Sequence, residues 1–313
     1  MRILVTGSVA YDLLLTHDGS FPDAIDPGAL DTLSVGYLAS HFARHHGGTG
    51  ANIAWSLQLL GQNPLLVSTV GSDGGAYLAL LEERRISTKY IQKVDDAFTA
   101  TAIIGTDSEE HQITFYHPGA DAKGEWPDLS QDCDDVSYAI VSPRDATLMM
   151  QALEWCHAYG IKAFFDPGQQ VMSFGEDALL RAIECSEAVI ANAYEWSVLT
   201  DRLNTTEGDL LTKVPLIVIT RGEDGLEIFT QEDNIVIPAC KADRVVNPTG
   251  AGDALRAGLL TGLAQGWSLT HAGRLGAAMG SYAVEQEGTL IENLDIDELK
   301  ERVLETYGEN LSL

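Results

Sequence analysis

The segment Asn247–Asp253, with the sequence NPTGAGD, carries the strongest local pattern for chemistry, and the apolar run Ala254–Ala264 that follows it is typical of a helix. Gly250 and Gly252 allow a tight turn that exposes consecutive amides at the helix start, where the helix dipole favours an anion. Asp253 beside such a site could accept a hydroxyl proton while the amides stabilise charge on a transferred phosphoryl group. The pattern alone leaves an ordinary glycine turn with an aspartate cap equally open.

A second glycine cluster, Gly47–Asn52 with the sequence GGTGAN, also opens a predicted helix, Ala51–Leu60. The cluster permits close approach of the backbone to a ligand, and Asn52 offers a donor and an acceptor to hydroxyl groups. It is not a Walker A loop, because no Lys-Ser or Lys-Thr pair follows, and it is not the GxGxxG dinucleotide fingerprint. Asp12 is a lone carboxylate six residues after the predicted first strand, Arg2–Thr6, and on its own it is interpreted as a turn residue.

Four ordered motifs over nearly the whole chain resemble those of one enzyme family. Gly47–Asn52 and Asn247–Asp253 are similar to the two signatures of the ribokinase-like (PfkB) carbohydrate and nucleoside kinases. Asn192–Glu195 resembles the NxxE element of that family, and Thr220–Gly225 resembles its TxGxxG nucleotide loop. Several details are most similar to the bacterial adenosine kinases of the family: Gly7–Asp12, Phe115–Ala120, Asp166–Gln170 and Asn192–Trp196.

The resemblance implies a role for each motif. The catalytic residues would be Asp253, as the base that deprotonates the substrate's primary hydroxyl, with Gly250, Ala251 and Gly252 as the anion hole. The substrate would be bound by Ser8, Asp12, Gly48, Asn52, Phe115, Gln169 and Gln170. ATP would be bound by Asn192, Thr220, Gly222, Gly225, Asn247 and Thr249. Glu195 would hold Mg²⁺ through water, since this ion keeps much of its hydration in proteins.

Two positions depart from the family pattern. Asn247 stands where the family usually has Asp, a residue that in some members helps to hold a monovalent cation. Because Asn brings a carbonyl oxygen but no charge, activation by K⁺ is left open. The adenosine kinases place aromatic side chains of the lid against the purine, and Phe115 fits that role, but the run Thr99–Ile104 holds no aromatic ring. A second ring could come from Phe42, Phe98 or Tyr116.

The elements that must position these residues alternate between strand and helix. Short β-rich runs are predicted at Pro64–Val70, Ser137–Ser142, Lys162–Asp166, Ala188–Ala191 and Leu216–Thr220, and most are separated by helical patterns. This order favours a parallel sheet covered by helices on both faces. The resemblance implies the same α/β class, a ribokinase-like three-layer core with a mostly parallel central sheet and a small β-rich lid. We also expect Asp73 to cap a helix that runs to about Arg85.

Two stretches, residues 13–47 and 98–118, interrupt the alternation, and the second contains a hairpin signal at Thr99–Gly105 and Gln112–Tyr116. We expect them to form a lid over the substrate site, and residues 1–12, 48–97 and 119–313 to form the core with the ATP site. Closure of the lid would exclude water that could hydrolyse ATP. His41 and His45 stand four residues apart, but the HExxH pattern is absent, so a solvated lid face is favoured over a zinc site.

Composition excludes several classes of partner. The 313 residues include 46 acidic and 19 basic side chains, and the resulting net charge of −27 opposes binding to polynucleotides and anionic membranes. The apolar content of 45% excludes a disordered chain, and no apolar run reaches the length of a membrane span. The four cysteines form no CxxC pair and are expected to be reduced. We therefore expect a soluble cytoplasmic protein, with monomer and homodimer both left open.

The resemblance implies an ATP- and Mg²⁺-dependent kinase that phosphorylates the 5′-hydroxyl of a ribonucleoside, with adenosine as the first candidate and AMP as its product in purine salvage. One alternative is a ribokinase-like sugar kinase that acts on ribose or on another pentose or hexose. A second alternative, from another class, is a non-catalytic module that binds a nucleotide or sugar. The presence of Asp253 disfavours the binding module, because binding alone needs no base beside an anion site.

Overall fold

The computed structural model describes residues 2–25, 28 and 30–311. The strands in these residues are β1 (Arg2–Thr6), β2 (Ala10–Thr16), β3 (His41–Gly47), β4 (Pro64–Gly71), β5 (Tyr90–Val94), β6 (Ala100–Thr106), β7 (Gln112–His117), β8 (Val136–Val141), β9 (Lys162–Phe165), β10 (Ala188–Asn192), β11 (Leu216–Thr220), β12 (Leu226–Phe229) and β13 (Asn234–Ile237). The helices are α1 (Thr49–Leu59), α2 (Gly75–Glu83), α3 (Ala146–Ala158), α4 (Glu176–Glu184), α5 (Ala193–Leu203), α6 (Glu207–Leu210), α7 (Ala251–Ala264), α8 (Leu269–Ala283) and α9 (Ile296–Tyr307).

The larger sheet has nine of these strands in the order β13-β12-β11-β10-β9-β8-β1-β4-β5. It is parallel from β11 to β5, and β12 and β13 extend one edge as antiparallel strands. Both of its faces are covered, so runs such as Leu216–Ile219 are continuously apolar. Ile3 and Val5 pack towards α1, α2, α7 and α8, whereas Leu4 packs towards α3, α4 and α5 on the opposite face. The predicted α/β class, with a mostly parallel sheet between two helical layers, is confirmed.

A second, mostly antiparallel sheet has the order β3-β2-β6-β7 and includes the predicted hairpin as β6 and β7. Its register aligns His45, Asp12, Ala102 and Tyr116 in one row across the four strands, so these side chains share a face. Phe115 belongs to the next row and therefore lies on the other face. Asp12 is thus carried by a strand of the small sheet.

The expectation that Asp73 caps the following helix is wrong. The helix α2 begins at Gly75, with Gly74 in the capping position and no side-chain cap. The Asp73 carboxylate instead accepts hydrogen bonds from the backbone N–H of Thr99, at 2.7 Å, and from its hydroxyl, at 2.8 Å. Two donors from a distant segment satisfy this carboxylate better than a helix start would, and they tie α2 to the entry of β6.

The helices formed by the described residues are all too short or too polar to cross a bilayer; the longest, α8, has 15 residues.

Candidate active site

The start of α7 brings the second glycine motif to the centre of the molecule. Gly250 precedes the helix with φ +88°, a left-handed conformation that favours glycine, and a Cβ there would lie 2.8 Å from the Thr289 carbonyl oxygen. Asp253 lies in the first turn of α7 and is buried, with 9% of its surface exposed. Its Oδ2 accepts a hydrogen bond from Asn52 Nδ2 at 2.8 Å. The two glycine motifs, 201 residues apart, therefore meet at one carboxylate.

The environment of Asp253 makes it a stronger base than an ordinary aspartate. Burial raises its pKa to about 7, and the nearby carboxylates of Asp166 and Asp12 act in the same direction. Arg256 and the hydrogen bond from Asn52 oppose this rise without cancelling it. A carboxyl group whose pKa lies near neutrality is suited to accept a proton from an alcohol during a reaction.

The helix α1 can present Asn52 here because it begins very close to β1. A Cβ on Gly50 would lie 2.7 Å from the Gly7 carbonyl carbon, so only glycine allows this approach. The side chain of Asn52 is buried, and the Thr289 hydroxyl lies 3.1 Å from its Oδ1. Asn52 is therefore fixed at both ends of its amide, by Asp253 and by Thr289.

A cavity of about 1030 Å³ opens over the start of α7 at the carboxyl edge of the larger sheet. Parallel α/β sheets commonly bind ligands at this edge. Ten of the predicted site residues line it: Asn192, Glu195, Thr220, Gly222, Gly225, Thr249, Gly250, Ala251, Gly252 and Asp253. The volume is that of a small-molecule or cofactor site.

Asn192 and Glu195 form a capping box at the start of α5. Asn192 Oδ1 accepts from the Glu195 backbone N–H at 2.8 Å, and Glu195 Oε2 accepts from the Asn192 backbone N–H at 2.9 Å. Burial raises the pKa of Glu195. The described part of the chain contains no group of three or more His, Cys, Asp or Glu side chains that could hold a metal ion by themselves. A cation here would therefore depend on water and phosphate oxygens for most of its ligands.

Asn247 has both ends of its side-chain amide engaged. Its Oδ1 accepts from the Thr249 backbone N–H at 2.9 Å, which shapes the turn before α7. Its Nδ2 donates to the Glu287 carbonyl oxygen, also at 2.9 Å. The amide thus links this turn to the segment that follows α8.

The small sheet closes over the other side of the site. Asp12, His45 and Ile104 of this sheet face Asn247 and Thr249 across a cavity of only about 20 Å³. Such a volume is close to that of a single water molecule. Burial raises the pKa of Asp12 to about 6.

Comparisons with known proteins agree with this architecture. The profile of the pfkB family carbohydrate kinases matches residues 2–296. This chain belongs to that family. The kinase is 32% identical over 247 residues to the nucleoside kinase of Methanocaldococcus jannaschii, covering 78% of this chain and 81% of that protein. It is 30% identical over 310 residues to the nucleoside kinase of Methanothermobacter thermautotrophicus, covering 98% and 96%.

A solved nucleoside kinase from Burkholderia thailandensis has the same fold as this PfkB-family kinase. Its complex with inosine matches with a TM-score of 0.89 and 32% identity, covering 99% of each chain. Its ligand-free form matches with a TM-score of 0.81 and 33% identity, covering 97% of this chain and 100% of that one. The family resemblance seen in the sequence is confirmed, and the kinase is an ATP-dependent phosphotransferase with a ribokinase-like fold.

The remaining predicted site residues of the kinase are distributed unevenly. Ser8 follows β1, and its Oγ accepts from the Thr49 backbone N–H at 3.2 Å. Gly48 precedes α1 with φ +94°. Gln169 is exposed, and neither it nor Gln170 lines the large cavity.

The structure brings Tyr116, not Phe115, to the face of the small sheet that carries Asp12. Phe115 is 68% exposed on the opposite face, and Tyr116, on the face of Asp12, is 49% exposed. The Tyr116 hydroxyl lies close to the Ser8 side chain, and burial of this hydroxyl raises its pKa to about 12. One step in strand register decides which of two adjacent aromatic residues faces the site, and the sequence could not fix it.

Arg256, on the wall of the kinase cavity, was given no role in the sequence analysis, and its partner Asp166 was noted there only as part of the motif Asp166–Gln170. Arg256 lies on α7, and its Nη2 donates to Asp166 Oδ1 at 2.7 Å. Both side chains are buried. The signal that could have identified Arg256 is its position three residues after Asp253, on the same face of the helix.

Proposed function

We propose that this kinase transfers the γ-phosphoryl group of ATP to the 5′-hydroxyl of a ribonucleoside, with adenosine as the first candidate. The hydrogen bond between Asn52 Nδ2 and Asp253 Oδ2 carries this proposal. It joins a side chain suited to sugar hydroxyls with a buried carboxylate beside the exposed amides of Gly250–Gly252.

In the proposed reaction, Asp253 accepts the proton of the 5′-hydroxyl. The hydroxyl oxygen forms a bond to the γ-phosphorus while the bond from that phosphorus to the oxygen shared with the β-phosphate breaks. The products are a nucleoside 5′-monophosphate and ADP, and the proton on Asp253 later passes to solvent. Amides at the start of α7 stabilise the charge on the moving phosphoryl group.

ATP would occupy the large cavity, with its base end between the loop after β11 and the segment before α7. Thr220, Gly222 and Gly225 lie on the first of these walls, and Thr249 lies on the second. Glu195 would hold Mg²⁺ through water, because its partly buried carboxyl group lines the cavity and no complete protein cage for a metal exists among the described residues. Bound Mg²⁺ would neutralise phosphate charge during the transfer.

The nucleoside would lie between the core and the small sheet. Asp12 is suited to accept hydrogen bonds from the two ribose hydroxyls, and Asn52 contacts Asp253, the proposed general base. Tyr116 shares the face of Asp12 and would contribute to the pocket for the nucleobase. The two archaeal relatives and the Burkholderia thailandensis protein are nucleoside kinases, the last of them solved with inosine. Adenosine and inosine are therefore the two nucleosides to compare first.

The deciding experiment measures ADP release from MgATP with adenosine, inosine, ribose and fructose 6-phosphate as acceptors. We expect kcat/KM to be at least about 100-fold higher for a ribonucleoside than for either sugar. The reason is that a site that forms hydrogen bonds with several groups of the substrate rejects an analogue that lacks those groups. A preference for a sugar would indicate the sugar-kinase alternative. Tight nucleoside binding without any turnover would indicate the binding module.

Asp253→Asn is the matched variant for this assay, because it keeps the side-chain shape and a hydrogen-bond acceptor for Asn52. Its kcat is expected to fall by about 10³-fold or more, while nucleoside affinity measured by calorimetry stays within about threefold of that of the wild type. Retention of turnover within about tenfold would mean that Asp253 is not the base.

A further inference from the structure

Arg256 is a buried cation on the cavity wall. It lies three residues after Asp253 and four after Gly252 on α7, so all three occupy one face of the helix. Only 7% of its surface is exposed. Charged side chains are rarely buried to this degree unless each charge is paired and its donors are used.

The ion pair of Arg256 leaves part of its guanidinium without a partner. Nη2 donates to Asp166 Oδ1 at 2.7 Å, and Asp166 is 2% exposed. The Nε atom is buried and has no hydrogen-bond partner within the described structure. An unused donor on a buried arginine is costly, and it indicates that a ligand completes the set.

The guanidinium points back towards the anion site. Helical side chains lean towards the N-terminus of their helix, and the Arg256 side chain therefore covers the preceding turn. Its Nη1 lies 2.8 Å from the position that a Cβ on Gly252 would occupy. The absence of a side chain at Gly252 thus leaves room for a cation directly beside the amides that start α7.

The charge of the cavity wall makes this cation valuable to a phosphate ligand. Asp166, Glu195 and Asp253 all contribute carboxyl groups, in a protein of net charge −27. Among the described lining residues the basic ones are Arg256 and Lys241, and Lys241 is exposed at the surface. Arginine remains charged when buried and offers donors in a planar array that fits phosphoryl oxygens.

We propose that Arg256 is a catalytic residue that binds the γ-phosphoryl group of ATP, and that Asp166 is a positioning residue that fixes the guanidinium for this contact. The inference rests on the proposed kinase function. As the bond to the acceptor oxygen forms and the bond to ADP breaks, the donors on Nε and Nη1 hold the phosphoryl oxygens. The hydroxyl proton still passes to Asp253.

The test must separate binding of the γ-phosphoryl group by Arg256 from a purely structural role of the Arg256–Asp166 ion pair. Removing only Arg256 leaves the Asp166 carboxylate buried without a partner, which destabilises a fold whatever the function of the pair. The test therefore uses the double variant Arg256→Met/Asp166→Asn, which removes both charges, together with the single variant Asp166→Asn, which keeps the cation. Arg2→Met is the matched control, because Arg2 pairs with Asp132 and Asp135 before β8, at the opposite end of β1 from the site.

The first measurement is calorimetric binding of Mg²⁺ with ADP and with a non-hydrolysable ATP analogue. The affinity for the analogue relative to ADP is expected to fall about 10-fold in the double variant and less in Asp166→Asn, because only the analogue carries a γ-phosphoryl group. The ratio in Arg2→Met is expected to equal that of the wild type. This readout needs no turnover, so it tests Arg256 even if the proposed kinase reaction is absent.

The second measurement is steady-state kinetics with the best acceptor. In the double variant kcat is expected to fall about 100-fold while KM for the nucleoside changes by less than about threefold, because the lost contact is made with the moving group. A folded double variant with an unchanged affinity ratio and with kcat within about threefold of the wild type would overturn the inference. Failure of the wild type to phosphorylate any acceptor would instead count against the proposed function.

Discussion

Burial of the Asp253 carboxyl group makes the stability of the protein depend on pH. The pKa of this group is raised to about 7 in the folded protein, above the 3.8 of an exposed aspartate, because burial disfavours the charge. The unfolded chain therefore releases this proton at a lower pH than the folded protein does. Its contribution to the free energy of unfolding falls as the pH rises from about 4 to about 7, and the whole cost is present above that range.

The first prediction is that Asp253→Asn stabilises the protein at pH 8 and has little effect near pH 4. The two pKa values correspond to about 4 kcal/mol at most, or a rise in Tm of about 4–8 °C at pH 8. Thermal unfolding at both pH values, with wild type and variant in the same buffers, measures this difference. An equal Tm difference at both pH values would show that the burial cost of the charge is not the cause.

Asn247 supports a prediction about monovalent cations. Its Nδ2 donates to the Glu287 carbonyl oxygen at 2.9 Å, so the amide already satisfies an oxygen that a carboxylate at this position would repel. The wild-type rate is expected to change by less than about twofold when K⁺ replaces tetramethylammonium.

The variant Asn247→Asp is expected to lose about 1–3 kcal/mol of stability without K⁺ and to regain that stability when K⁺ is present. Strong activation of the wild type by K⁺ would contradict this account.

The local geometry of the motif residues could be predicted from sequence because it depends mainly on the nearby backbone. Gly250–Asp253 place amides and a carboxylate in one helical turn, whatever the rest of the chain does. Arg256 and Tyr116 were not accessible in the same way. The partner of Arg256 follows a different strand 90 residues away, and the orientation of Tyr116 depends on strand register. Both are properties of tertiary packing.

At the scale of elements, the approach of α1 to β1 controls where Asn52 lies. A Cβ on Gly50 would contact the Gly7 carbonyl carbon at 2.7 Å and its oxygen at 2.8 Å, and backbone atoms cannot swing aside as a side chain can. Gly50→Ala must therefore push the two elements apart and shift Asn52 away from Asp253.

We predict that Gly50→Ala lowers stability by about 1–3 kcal/mol and raises KM for the nucleoside. Gly75→Ala on α2 is the control, because a Cβ there meets nothing within 4 Å and its φ is not positive. The control is expected to be neutral or stabilising by up to about 1 kcal/mol. Chemical denaturation and nucleoside kinetics on both variants give the comparison. Equal stability of the two variants would mean that α1 and β1 can separate without cost.

The elements found from sequence and those missed differ in how they are stabilised. The six parallel strands from β11 to β4 are mostly buried on both faces, so their apolar runs identify them without knowledge of their neighbours. The strands β5, β12 and β13 of the same sheet are partly exposed and were not predicted. The strand β3, with the sequence HFARHHG, escaped prediction because it has neither an apolar run nor a simple alternation. Its place in the sheet comes from pairing with β2 along seven residue pairs. Pairing between distant segments is a tertiary effect that local propensity does not contain.

At the scale of the whole molecule, the net charge of −27 acts against compactness. Many ion pairs of the protein are exposed at the surface, such as that between Lys123 and Asp96, and each contributes little to stability. Repulsion among the excess carboxylates is therefore expected to dominate the response to ionic strength.

We predict that Tm rises by about 2–5 °C when tetramethylammonium chloride increases from about 20 to 300 mM, because screening weakens repulsion between like charges. This salt avoids any specific effect of K⁺ or Mg²⁺. Differential scanning calorimetry at constant pH measures the change. A fall in Tm over the same range would show that attractive surface pairs outweigh the repulsion.

The separate small sheet has a consequence for how such a protein can diversify. Asp12, His45 and Tyr116 stand in one row on strands that belong to this sheet, whereas Asp253 and its helix belong to the core. In the proposed arrangement, substitutions at His45 or Tyr116 would alter which acceptor is admitted, because these residues share the face of Asp12 but belong to different elements from Asp253. If the proposed substrate site is correct, a lineage built on this plan would acquire new substrates through a few strand positions while the start of α7 stays the same.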